Sequence, residues 1–163
     1  MIPKPKYADQ ICVYKETDST RSPCIIVEYK PSHKLSVFNL RAGLLRADSG
    51  SMNLVEDVIN RITIPTNPEE KFVYNSEWLV TAALTQTYGY MIENGLEYSY
   101  LVTAEAFVFL WIKENEPHTL YYHLAEPNIE AEAQDEIDIM LCRTTVSQAS
   151  TFCLLALDSK PRS

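Results

Sequence analysis

Apolar and polar positions divide the chain into a run of strands, a helix, further strands and a last helix. Residues 8–14 (ADQICVY) and 24–30 (CIIVEYK) are rich in β-branched and aromatic side chains, the composition of strands. The polar link KETDSTRSP ends in Pro23, so the two segments predict a hairpin. The second is almost continuously apolar up to Val27, which predicts a strand buried on both faces. A helix is expected from 36 to about 45, then a mostly irregular insertion over 47–72 with a short helical piece at 55–61. A long helix is expected from Asn75 or Ser76, either a plausible N-cap, to a C′ glycine at Gly95. Residues 98–103 and 106–113 read as strands around the tight link Ala104–Glu105, and 119–125 as another. An acidic loop over 126–138 and a helix over 143–157, carrying Val146, Phe152, Leu154 and Leu155, complete the pattern. The expected fold class is α/β, a mixed sheet flanked by helices.

Composition narrows the class. At 163 residues, 46% hydrophobic and 22% charged, the chain reads as a single domain, 1–163, with its core at about 7–158. Disordered, collagen-like and small disulfide-scaffold chains are excluded, and no run of about 18 apolar residues predicts a membrane span. The start, MIPKPKYADQ, lacks the apolar region of a secretory signal. Cysteines 12, 24, 142 and 153 form no CxxC pair, and three sit in apolar runs as small buried hydrophobes. The expected location is intracellular, cytoplasmic or nuclear. A net charge of −8 argues against a protein that coats nucleic acid. Its distribution withdraws most of that objection. Residues 1–46 hold eight Lys/Arg against four Asp/Glu, while 126–139 hold six acids and no base.

The basic segment carries the candidate chemistry. Glu28 and Lys30, two apart on a strand, point to one face. A hairpin turning about residues 18–19 sets Asp9 opposite Glu28, with Cβ atoms about 4.5–5.5 Å apart. Two facing carboxylates repel unless something neutralises them, and Mg²⁺ (or Mn²⁺) with oxygen ligands does so. Lys30 beside such an ion could position water or stabilise phosphoryl charge. The plainer alternative is that Glu28 and Lys30 form a solvent face and Asp9 caps a strand end. On the long helix Gln86 and Tyr90 stand at i and i+4, hence on one face, among the apolar or small Trp78, Leu79, Ala82, Ala83 and Met91. They read either as an edge-of-core pair or as support for metal ligands or a substrate phosphate.

The order Asp, Glu-x-Lys at the end of an apolar strand, then Gln-x-x-x-Tyr on a later helix resembles the PD-(D/E)XK nuclease superfamily. The phrases ADQICVYK, IIVEYKPSHKL, TAALTQTYGYMIENGLEYSYLVTAEAFVFLWI and RTTVSQASTFCLLAL resemble a nuclease-like domain of this type found in filamentous fungal proteins. The resemblance implies a restriction-endonuclease-like core. In it Asp9 and Glu28 are the metal carboxylates, Lys30 the catalytic lysine, and Gln86 and Tyr90 the supporting residues. Mg or Mn would be the cofactor, and a nucleic acid, DNA before RNA, the partner. With eight residues before Asp9, the helix and first strand usual in the family are expected to be missing or completed by an oligomer partner. The function expected is metal-dependent phosphodiester hydrolysis. The alternative is a catalytically inactive or truncated nuclease-like interaction module.

Other candidates are weaker. His33, His118 and His123 make no spaced metal cluster, and Cys142 with His123 rests on co-occurrence alone. The alternating aromatics Tyr98, Tyr100, Phe107, Phe109 and Trp111 read as core packing rather than base stacking.

Overall fold

The computed structural model describes residues 9–15, 21–44, 54–133 and 136–159. Strand β1 (Gln10–Lys15) and β2 (Arg21–Tyr29) are followed by helices α1 (Val37–Leu44), α2 (Leu54–Ile59) and α3 (Pro68–Glu93). Then come β3 (Tyr98–Val102), β4 (Phe107–Trp111), β5 (Tyr121–Ala125), α4 (Pro127–Glu132), α5 (Ile137–Cys142) and α6 (Thr145–Asp158). The sheet runs β1-β2-β3-β4-β5 in space, antiparallel except for the parallel β2–β3 pair. A parallel pair needs a long crossover, and α3 lies within it. The fold is therefore mixed α/β: a five-stranded mixed sheet flanked by helices.

Alternation sorts the sheet's side chains to two faces. Ile26, Leu101, Val108 and Leu110 pack with Leu40 and Leu44 of α1 and Val80, Leu84 and Met91 of α3. On the other face Tyr98, Tyr100 and Phe109 surround Phe152 of α6, Phe109 and Phe152 at 4.6 Å between ring centres. The aromatic strand residues are thus packing groups, as expected. Strand β2 is buried from Ile25 through Glu28, so both of its faces are covered.

Three boundaries differ from expectation. Helix α3 begins at Pro68, not at Asn75 or Ser76. Asn67 is the N-cap, its Oδ1 accepting from Glu69 N at 2.9 Å, with Pro68 in the first turn and Glu69 and Glu70 complementing the helix dipole. Ser76 lies well inside the helix, its hydroxyl accepting from Asn39 of α1. The insertion therefore ends at 67. Its expected helical piece is α2, while 45–53 lie outside the described residues. The acidic segment is not simply a loop: Pro127 opens α4, Glu130 accepts from Glu126 N at 2.8 Å, and α5 starts at Ile137. The far end of α3 is as expected. Gly95 has φ 63°, and Leu96 N→Met91 O (2.8 Å) with Gly95 N→Ile92 O (3.2 Å) closes a Schellman turn.

Trp78, Leu79 and Ala82 prove to lie on the exposed side of α3, and Val146, Leu154 and Leu155 on that of α6. The expectation that the helix and first strand usual in the family are missing falls on residues 1–8, which lie outside the described residues. Among the described residues no helix is long and apolar enough to cross a membrane.

Candidate functional site

The site lies where β2 leaves the sheet. The ladder pairs Gln10 with Val27, Ile11 with Ile26 and Cys12 with Ile25. The ladder ends at Gln10; continued by one residue it would bring Asp9 opposite Glu28, the register expected from the sequence, while a bulge between Cys12 and Val13 shifts the remainder. Asp9 is exposed, and its Oδ2 accepts from Tyr29 N at 2.8 Å, so one carboxylate oxygen finishes the β1–β2 ladder. The backbone of Lys30 is fixed in turn by N–H donation to Val102 O at 2.9 Å, continuing the parallel β2–β3 pairing.

Glu28, Lys30, Gln86 and Tyr90 form one chain of hydrogen bonds. Lys30 Nζ donates to Glu28 Oε1 at 2.7 Å and to Gln86 Oε1 at 3.1 Å. Gln86 Nε2 donates to Tyr90 OH at 2.8 Å. Alternation along β2 puts Glu28 and Lys30 on the side facing α3, and the i, i+4 spacing puts Gln86 and Tyr90 on the side of α3 facing them. Glu28 is 2% exposed and Tyr90 8%, whereas the Lys30 side chain keeps 20% of its surface. Glu28 Oε2 is buried and has no hydrogen-bond partner among the described residues. Leaving such an acceptor unmade costs about 1–3 kcal/mol, more for a charged group. An ammonium has three donors, so after two bonds Lys30 retains one to offer.

The other candidates stay apart. His33, His118 and His123 are exposed, as is Cys142. Among the described residues no group of three or more His, Cys, Asp or Glu is placed to hold a metal ion.

Two clusters escaped sequence reasoning. Arg61 reaches across to the buried Glu77 of α3 and lies over the Tyr74 ring, tying the segment after α2 to that helix. Cys12, Cys24 and Cys153 come together from β1, β2 and α6 beside Tyr100, half-buried rather than buried. Burial pushes all three thiols up, and burial with the neighbouring Cys153 pushes Tyr100 up to about 12. Such sulfurs stay protonated and unreactive near neutrality. No local signal could have found either cluster, because each joins distant segments.

No solved structure matches the chain. A curated relative, the meiotic driver SPOK2 of Podospora anserina, is 25% identical over 156 residues, covering 93% of this chain. Those residues are 20% of the relative, so the chain spans about a fifth of its length. The family model described as the Spore killer 2 N-terminal domain matches residues 2–162. The chain therefore belongs to the Spore killer 2 N-terminal domain family.

Proposed function

We propose that this domain is a Mg²⁺- or Mn²⁺-dependent nuclease module, acting on nucleic acid (DNA first) within a protein of meiotic drive. The observation that carries the reading is the buried, half-satisfied Glu28 carboxylate joined to Lys30, Gln86 and Tyr90, with Asp9 accepting from Tyr29 N across the hairpin. The donor set fits a hard cation. Asp9 and Glu28 would hold it, both are oxygen ligands, and Mg²⁺ is commonly bound by one or two carboxylates with waters and substrate phosphates. The bound ion would lower the pKa of water and polarise the phosphoryl group. Lys30, held between Glu28 and Gln86, directs its remaining N–H toward the attacking water or a non-bridging phosphate oxygen. Gln86 fixes the lysine head, and Tyr90 fixes the orientation of the Gln86 amide.

A non-catalytic docking module in the same intracellular setting is the second reading. It is favoured by Asp9, which is exposed and already spends its Oδ2 on Tyr29 N. Cleavage of single- and double-stranded DNA and RNA with Mg²⁺ or Mn²⁺ decides between them. The nuclease reading expects cleavage by wild type, loss in Lys30→Ala, and loss of calorimetric Mn²⁺ binding in Asp9→Asn. Identical cleavage by wild type and Lys30→Ala overturns it. Mn²⁺ binding unchanged by Asp9→Asn removes the metal assignment.

A further inference from the structure

Strand β5 ends at the buried Ala125, and α6 is anchored by Phe152 among the sheet aromatics and by the buried Ala156. Between these two fixed points lie α4 and α5, which are built differently from the rest of the molecule. Pro127 is the buried residue of α4. No residue of α5 is buried, Met140 is half-buried, and Ile137, Ile139 and Leu141 are 68%, 42% and 54% exposed. Each helix is six residues long, well short of the about 12–15 residues at which an isolated helix is even marginal in water. Short helices are held by an apolar face packed on a core, and α5 buries no such face.

Charged links take the place of that face. Glu126, at the start of α4, accepts two bonds from the Arg41 guanidinium of α1, one of them 2.9 Å. Glu130 turns one oxygen back to Glu126 N at 2.8 Å and offers the other to Gln148 Nε2 of α6 at 2.9 Å, with Arg143 Nη1 at 3.6 Å. Helix α4 thus bridges α1 and α6 through two carboxylates. Within α5 the backbone bonds are local, Met140 N→Glu136 O at 2.9 Å and Arg143 N→Ile139 O at 3.2 Å. The Arg41 side chain is 43% exposed and that of Arg143 52%, so water and salt reach both pairs. Ion pairs this exposed hold weakly and are screened beyond about 8 Å at physiological ionic strength. Self-repulsion works against them, since residues 126–139 hold six acids and no base.

We propose that α4 and α5 form a charge-latched flap, which opens between Ala125 and Thr144 while the sheet, α1, α3 and α6 stay folded. The Arg41–Glu126 link is the latch. Opening frees the Arg41 guanidinium and uncovers the side of α1 carrying Val37 and Phe38, which α4 faces across a groove of about 220 Å³. Ionic strength sets the balance between the two states, because the closed one is held by screened pairs and the open one relieves repulsion among the acids. The proposal stands independently of the nuclease reading.

Residue-resolved hydrogen exchange of the whole chain, followed by NMR at about 0.05 and 0.5 M NaCl, tests it. The amides of Glu130, Ala133, Met140 and Arg143 close α4 and α5. They are expected to lose protection roughly tenfold at the higher salt, while amides of β2, β3 and α3 do not change. Arg41→Gln and Glu126→Gln at low salt should each give a similar loss, and the double variant no more than either, since both remove the same link. Protection in α4 and α5 that neither salt nor the variants move overturns the proposal. So does a loss spread equally over β2 and α3, which would make these helices part of the global unfolding unit. An additive double variant also overturns it, because the latch is then not this pair.

Discussion

A carboxylate as buried as that of Glu28 has lost nearly all its water, and the Lys30 ammonium at 2.7 Å replaces part of it. Breaking a fully buried pair costs about 3–5 kcal/mol, mostly through the charge left behind. The Lys30 head is partly solvated, so Lys30→Ala should cost roughly 2–3 kcal/mol, read by urea denaturation. The double variant Glu28→Leu, Lys30→Met should regain most of it, since no charge is then stranded. A Lys30→Ala loss below about 0.5 kcal/mol would mean that water reaches Glu28 freely. At this scale the spacing of residue types was readable: Glu28 with Lys30 by strand alternation, Gln86 with Tyr90 by helical repeat. That Gln86 bonds Lys30, 56 residues away, was not, because only the packing of α3 over β2 brings them together.

Helix α1 meets α3 at a glycine. A Cβ on Gly43 would stand 2.6 Å from Val80 Cγ2 and 2.8 Å from the backbone oxygen of Ser76, so the two helices approach closely there. Gly43→Ala should therefore destabilise by about 1–3 kcal/mol through overpacking. Gly89, within α3, would gain a Cβ with nothing within 4 Å, and Gly89→Ala should stabilise by about 0.5–1 kcal/mol. Thermal melts that move the same way for both would refute this account of the contact. The same packing explains the sequence-level errors on α3. Asn67-Pro68 followed by two glutamates was a legible start, but Asn75 and Ser76 are also good caps, and local chemistry does not rank them. The apolar Trp78 and Leu79 face outward, while Ser76, Glu77 and Thr87 are buried with polar partners that compensate them, and Thr81 is buried with its hydroxyl unpartnered among the described residues.

The molecule closes its second sheet face with α6, and that closure creates the Cys12, Cys24, Tyr100 and Cys153 cluster. Burial raises these acids in the folded state, so folding favours their protonated forms. Their contribution is complete below about pH 9, where unfolded thiols also keep their protons, and is lost as pH rises through the folded values, about 12 for Tyr100. The urea midpoint should fall between about pH 9 and 12, and Tyr100→Phe should flatten the upper part of that fall. A midpoint that is flat over this range, or identical in Tyr100→Phe, would show that the cluster is open to water.

Sequence alone determined the order of the five strands and of α1, α2, α3 and α6, the hairpin register as far as Cys12, the doubly buried β2 and the shared faces of Glu28–Lys30 and Gln86–Tyr90. Each follows from local periodicity and turn chemistry, which act over a few residues. Tertiary structure decided which oxygen of Asp9 is engaged, that Glu28 Oε2 is left without a partner, and that Gln86 reaches Lys30. It also decided that three thiols meet around Tyr100 and that Phe38 is left exposed on α1. Those outcomes depend on how separate elements pack, and burial and contact between distant segments leave no periodic trace in the chain.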